Sequence, residues 1–157
     1  IDLKAVGAIR EKEYQVGGST ALLDAIGRTI HKIGNAQKNT DDDYRAEKVM
    51  FVIITDGEEN SSREYSVEKV KAQIERQKTK YGWEFIFLGA NIDAVETAGR
   101  FGIAPNRAVD YLADGEGTKL NYTVMAQAVA TFREVGTVDE ACFEEIRKDV
   151  KRRGGRK

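Results

Sequence analysis

The stretch "FVIITDGEENSS" at positions 51–62 runs from an apolar strand-like segment into Asp56, Gly57, Glu58, Glu59, Asn60 and two hydroxyls. A second oxygen-bearing stretch, "GGST" at 17–20, ends in Ser19 and Thr20. Hard divalent cations such as Mg²⁺ take oxygen ligands in octahedral geometry and usually keep several waters. Thr20 supplies a neutral hydroxyl and Asp56 a carboxylate for such an ion, directly or through water. Ser19, Gly57, Glu58, Glu59 and Asn60 complete the candidate rim as partner contacts or as solvated loop. Simpler roles compete for the same residues. Asp56-Gly57 is what a plain turn after a strand contains, Thr20 or Ser19 suits a helix N-cap, and Ser61 with Glu64 has the spacing of a capping box.

Other chemistries find little support. His31 is the sole histidine and Cys142 the sole cysteine, so neither a zinc site nor a nucleophilic triad can be assembled from them. Cys142 reads as a packed thiol beside Phe143 and Ile146. "GANIDAVETAG" has glycines after a strand without the GxGxxG order, and no GxxxxGK[ST] occurs, so nucleotide binding has no motif behind it. Asp41, Asp42 and Asp43 lack the spacing and the closing glutamate of an EF-hand and read as a solvated loop. A Mg²⁺-dependent phosphoryl-transfer enzyme with Asp56 as ligand would also need a second acid on another strand end, a phosphate loop and a base.

These residues need elements to hold them. "ALLDAIGRTIHKI" places Leu22, Leu23, Ile26, Ile30 and Ile33 at helical spacing, with a start near Thr20. "KVMFVIIT" is continuous and β-branched, as a strand buried on both faces is. "SVEKVKAQIERQKTKYG" predicts a helix stopped by Gly82, and "WEFIFLGA" a second buried strand. "DAVETAGRFG" predicts a short helix, "RAVDYLA" a third strand, "TKLNYTVMAQAVATFREVG" a long helix and Asp139 to Val150 a terminal one. Helices alternating with unbroken apolar strands predict a parallel sheet covered on both faces, in which ligands collect at the carboxyl ends of the strands. The expected fold class is therefore α/β, a Rossmann-like three-layer sandwich with a mostly parallel sheet.

With 157 residues, 41% of them hydrophobic, the chain has the size of one domain. Positions 1–16 read as an irregular lead-in and "KRRGGRK" at 151–157 as a basic, disordered tail. The net charge of -1 gives no electrostatic reason to expect nucleic acid or an anionic membrane as partner. No apolar run of membrane-spanning length and no signal-like start occur, and the expected location is cytoplasmic.

"GGSTALLDAIGRTI", then "FVIITDGEENSS", then "WEFIFLGANIDA" together resemble the von Willebrand factor type A domain, in a bacterial or phage-like version. The resemblance covers most of the chain from about Tyr14. It implies a Rossmann-like fold bearing a metal-ion-dependent adhesion site, made of an Asp-x-Ser-x-Ser loop, a threonine matched by Thr20 and an aspartate matched by Asp56. No Asp-x-Ser-x-Ser pattern precedes "GGST" here; the only candidate strand ahead of it is "LKAVGAI". The sequence is thus expected to begin after the family's first strands, with an incomplete Mg²⁺ site. What the resemblance implies for function is a non-enzymatic protein-binding module. The alternative is an assembly protein that keeps the fold without the metal. An uncovered edge at 49–55 would invite self-association or recruitment of "LKAVGAI".

Overall fold

The computed structural model describes residues 3–5, 7–8, 10–13 and 19–154. Three strands, β1 (Met50–Thr55), β2 (Glu84–Gly89) and β3 (Ala108–Asp110), form a parallel sheet in the order β1-β2-β3. Its register sets Met50 beside Glu84 and Thr55 beside Gly89, then Phe87 beside Ala108. The chain is α/β with helices on both faces, a layout compatible with the Rossmann-like expectation.

The pleat explains the two layers. Successive side chains of a strand point to opposite faces, so Phe51, Ile53, Phe85 and Phe87 enter one core and Met50, Val52, Ile86 and Leu88 the other. The first core is closed by α1 (Leu22–Lys38), α2 (Val67–Tyr81) and α3 (Ala94–Arg100), and the second by α4 (Gly115–Val135) and α5 (Glu144–Arg153). Phe85, Ile86, Phe87 and Leu88 are all essentially inaccessible, and each fully buried side chain of this size contributes roughly 1.5–3 kcal/mol. Both faces of β2 are covered, which is why its sequence is unbroken apolar rather than alternating.

Local signals set the helix ends. Ser66 Oγ accepts from Lys69 N at 3.3 Å at the start of α2, and Gly82, in the left-handed region at φ 64°, closes it. The capping box read at Ser61 and Glu64 therefore does not form. Ser66 takes that role because the helix begins at Val67, and Ser61 Oγ is buried without a hydrogen-bond partner.

Several expectations need correction. The third strand, read through "RAVDYLA", spans only Ala108–Asp110; Tyr111 N still donates to Gly89 O at 2.9 Å, and Asp110 Oδ1 accepts Ala94 N at 2.9 Å. Lys151, Arg152 and Arg153, expected in a disordered tail, continue α5. They stay helical because Arg152 and Arg153 pair with the buried Asp149, while Arg153 also reaches Asp114 at 2.6 Å; residues 155–157 lie outside the described residues. Within the lead-in, Leu3–Ala5 and Glu11–Glu13 are short 3-10 turns, so "LKAVGAI" is not a strand over its first residues, and part of the rest lies outside the described residues. No helix among the described residues is long and apolar enough to cross a membrane.

Among the described residues β1 pairs on one side only, and its other side has a definite backbone pattern. Val49 O accepts from Glu84 N and Thr55 O from Ala90 N, both at 2.9 Å. Since backbone groups alternate sides along a strand, Phe51 and Ile53 also face β2. The N–H and C=O of Met50, Val52 and Ile54 then face outward, and Ile54 is 43% exposed.

Candidate functional site

The carboxyl end of β1 and the start of α1 meet at one rim, and backbone hydrogen bonds bring them there. Asn60 N donates to Thr20 O at 3.1 Å, and Thr20 N donates to Asn60 Oδ1 at 2.9 Å. Asn60 thus clamps the segment leading into α1 against the loop leaving β1. Gly57 lies beside Thr20: a Cβ built at Gly57 would stand 3.8 Å from Thr20 Oγ1.

Asp56 is held by its backbone, and among the described residues its side chain has no hydrogen-bond partner. Thr55, buried at the strand end, donates from Oγ1 to Gly57 O at 2.9 Å. Asn91, at a left-handed φ of 58° that asparagine tolerates, donates from Nδ2 to Asp56 O at 3.2 Å. The Asp56 carboxylate faces solvent. Its charge still reaches the protein. The Tyr111 phenol is pushed above its ordinary value, first by burial and then by the negative charge of Asp56.

Glu59 has an inward role that the sequence reading did not assign. Its Oε2 accepts from Leu23 N at 2.8 Å and from Ser62 Oγ at 2.7 Å, and its Oε1 accepts from Ser61 N and Ser62 N at 2.9 and 2.6 Å. Burial pushes its carboxyl up, but the donors from Leu23, Ser62 and Ser61 outweigh that and hold it below the ordinary range. The N-cap position of α1 is Ala21, which has no capping side chain. Capping was expected of Thr20 or Ser19. Glu59 and Ser62, whose Oγ accepts Asp24 N at 3.0 Å, satisfy that helix end instead.

Asp24 returns the arrangement. Its carboxylate accepts from the backbone N–H of Arg63, Glu64 and Tyr65, each at 2.9 Å, and it is 8% exposed. Those N–H groups, that of Arg63 foremost, hold its carboxyl below the ordinary range. Arg28 and Glu64 form an ion pair beside it. Tyr65 then packs over Gly27, where a Cβ would come within 2.2 Å of the ring. Sequence reasoning missed Asp24, yet a signal was present: an acid between Leu23 and Ile26 on an apolar helical stripe calls for a buried partner.

Of the residues singled out in the sequence, the structure therefore gathers Thr20, Gly57, Glu59 and Asn60 by contact, with Asp56 adjoining through the chain. Ser19 and Glu58 are exposed. Glu59 is turned inward, and the two expected metal ligands differ in access, Asp56 being exposed and Thr20 half-buried. They fill only part of the octahedral shell that Mg²⁺ requires. Among the described residues no group of three or more His, Cys, Asp or Glu is placed to hold a metal ion. A groove of about 650 Å³ on the far side of the rim is lined by Asn91, Asp93, Asp110, Tyr111, Arg147 and Lys151, among others. Compared with family models, with curated proteins and with solved structures, the chain matches none.

Proposed function

We propose that the chain is a non-enzymatic protein-binding module of the von Willebrand factor A type, acting in the cytoplasm, with a partial Mg²⁺ site at the carboxyl rim of the sheet. The observation that carries this reading is the state of Asp56. Its backbone is fixed by Asn91 and by the Thr55–Gly57 turn, while Asp56 itself is exposed next to Gly57, which lies beside Thr20. A divalent cation bound there would supply an electrophilic point for an acidic side chain of a partner protein. This chain's residues would hold it through Asp56 and Thr20, with water filling the remaining positions, so the affinity is weak. Asn60 and Glu59 act by keeping the two segments together. Calorimetric titration with Mg²⁺ tests the reading: weak binding lost in Asp56→Asn and kept in Glu58→Gln supports it, and binding that survives Asp56→Asn refutes it.

A second reading has its own observation. The inward use of Glu59 removes one acid from the rim, and among the described residues β1 pairs on one side only while Ile54 is exposed; both suit an assembly protein with this fold and no metal. Complete absence of Mg²⁺ binding in a folded chain that self-associates would select it.

A further inference from the structure

We propose that β1 is the dimerisation strand of this protein, pairing antiparallel with β1 of a second copy about a two-fold axis through Val52. The edge has the properties of a pairing template. It runs Met50-Phe51-Val52-Ile53-Ile54-Thr55 with no charge, proline or glycine, and the N–H and C=O of Met50, Val52 and Ile54 face outward. Natural edge strands are ordinarily shielded by charges, prolines or bulges. This one carries none of them.

The occupant follows from self-complementarity. In an antiparallel ladder, residues that exchange both hydrogen bonds alternate with residues that exchange none. With the axis at Val52, Val52 meets Val52 of the second copy, and Met50 meets its Ile54. Every outward-facing backbone group is then matched with another outward-facing one. The half-exposed Ile54 is covered by a methionine, and on the other face Phe51 lies beside Ile53.

Charge fixes the same register. Lys48, just before β1, falls opposite Asp56, just after it, at both ends of the seam. Glu47 falls opposite Gly57 and Ala46 opposite Glu58, so no like charges meet. Moving the axis to Phe51 leaves Lys48 facing Ile54, and moving it to Ile53 leaves Asp56 facing Met50. Lys48 Nζ donates to Arg133 O at 2.8 Å and to Glu134 O at 3.4 Å within its own subunit, and the third donor of an ammonium is left for Asp56. The groove between α1 and β1, lined by Leu22, Ala25, Ile26, Thr29 and Ile33, opens on the same seam. Ala25 and Thr29 are exposed and short there, which leaves room for the α1 of the second copy. The result is one continuous sheet through both subunits, an isologous contact that closes on itself.

Sedimentation velocity over a dilution series of the full chain is the test. A monomer–dimer equilibrium is expected. Val52→Pro, which removes an N–H that faces outward, and Ile54→Lys should each give monomers with unchanged near-ultraviolet circular dichroism. Lys48→Asp and Asp56→Lys should each weaken the dimer roughly tenfold, since cross-strand charge pairs act at both ends of the seam. Mixing those two variants should restore wild-type affinity, because only the heterodimer pairs opposite charges throughout. A chain that is monomeric at every concentration overturns the proposal, including one whose Met50, Val52 and Ile54 amides are protected from hydrogen exchange by the chain's own residues. So does a dimer that survives Val52→Pro and Ile54→Lys, or a mixture that restores nothing. The proposal does not rest on metal binding: Lys48→Asp alters no candidate ligand, so failure of the Mg²⁺ titration leaves it standing.

Discussion

Leu23 in the first turn of α1 and Glu59 in the loop after β1, 36 residues apart, share a 2.8 Å hydrogen bond from backbone N–H to carboxylate. The next helical residue, Asp24, answers by binding the N–H groups of Arg63, Glu64 and Tyr65. Each segment therefore supplies the acid that the other's backbone lacks, and the rim bearing Thr20 and Asp56 is as rigid as this exchange makes it.

Glu59→Ala should cost about 2–3 kcal/mol, because the donors of Leu23, Ser61 and Ser62 lose their acceptor together. Asp24→Asn should also lower the urea midpoint. The double variant should fall short of the sum of the two, since both changes undo one junction. Equilibrium urea unfolding of the three variants gives the comparison.

Acid should weaken the same junction. Asp24 and Glu59 are held below their ordinary values of 3.8 and 4.5, so the folded chain binds fewer protons than the unfolded one in this range. Their contribution is complete above the ordinary values and is lost as pH falls through the depressed folded ones. The wild-type urea midpoint should fall more steeply below about pH 4.5 than that of Asp24→Asn or Glu59→Gln, and the curves should converge in stronger acid. Parallel curves would show that these carboxyls are not linked to folding.

Gly27→Ala should destabilise the fold by about 1–3 kcal/mol, although alanine is the better helix former by about 1 kcal/mol. The added methyl would meet the Tyr65 ring at 2.2–2.5 Å. In a Tyr65→Ala background the sign should reverse, with Gly27→Ala raising the melting temperature.

Asp56→Asn should lower the Tyr111 phenol toward its ordinary value while burial keeps it above that value. Tyrosine ring carbon shifts followed by NMR through the alkaline titration would report it. An unmoved Tyr111 would place the carboxylate away from the β3 end of the rim.

Much of the architecture was legible in the residues. "MFVIIT" and "EFIFLG" are strands because both faces of each are apolar, and Gly82 stops its helix where the pattern stops. The rim was legible too, since Asp56 follows the most apolar strand and Thr20 precedes an amphipathic helix. The roles within the rim were less so. Glu59 reads in sequence as one more loop acid, and its partner Leu23 is an apolar residue acting only through its backbone N–H. Long-range capping leaves no local spacing to find. The use of the Asp110 carboxylate by the N–H of Ala94, 16 residues away, is equally absent from any local spacing.

Among the described residues each strand of the sheet hydrogen-bonds only to its neighbours in sequence, β1 to β2 and β2 to β3. The sheet can therefore be laid down in the order in which synthesis releases the chain, every new strand finding its neighbour already in place. Domains emerging from the ribosome gain from such an order, because no strand must wait exposed for a distant mate. The junction between α1 and the loop after β1 closes once Tyr65 has emerged, so the rim is complete before the last helices exist.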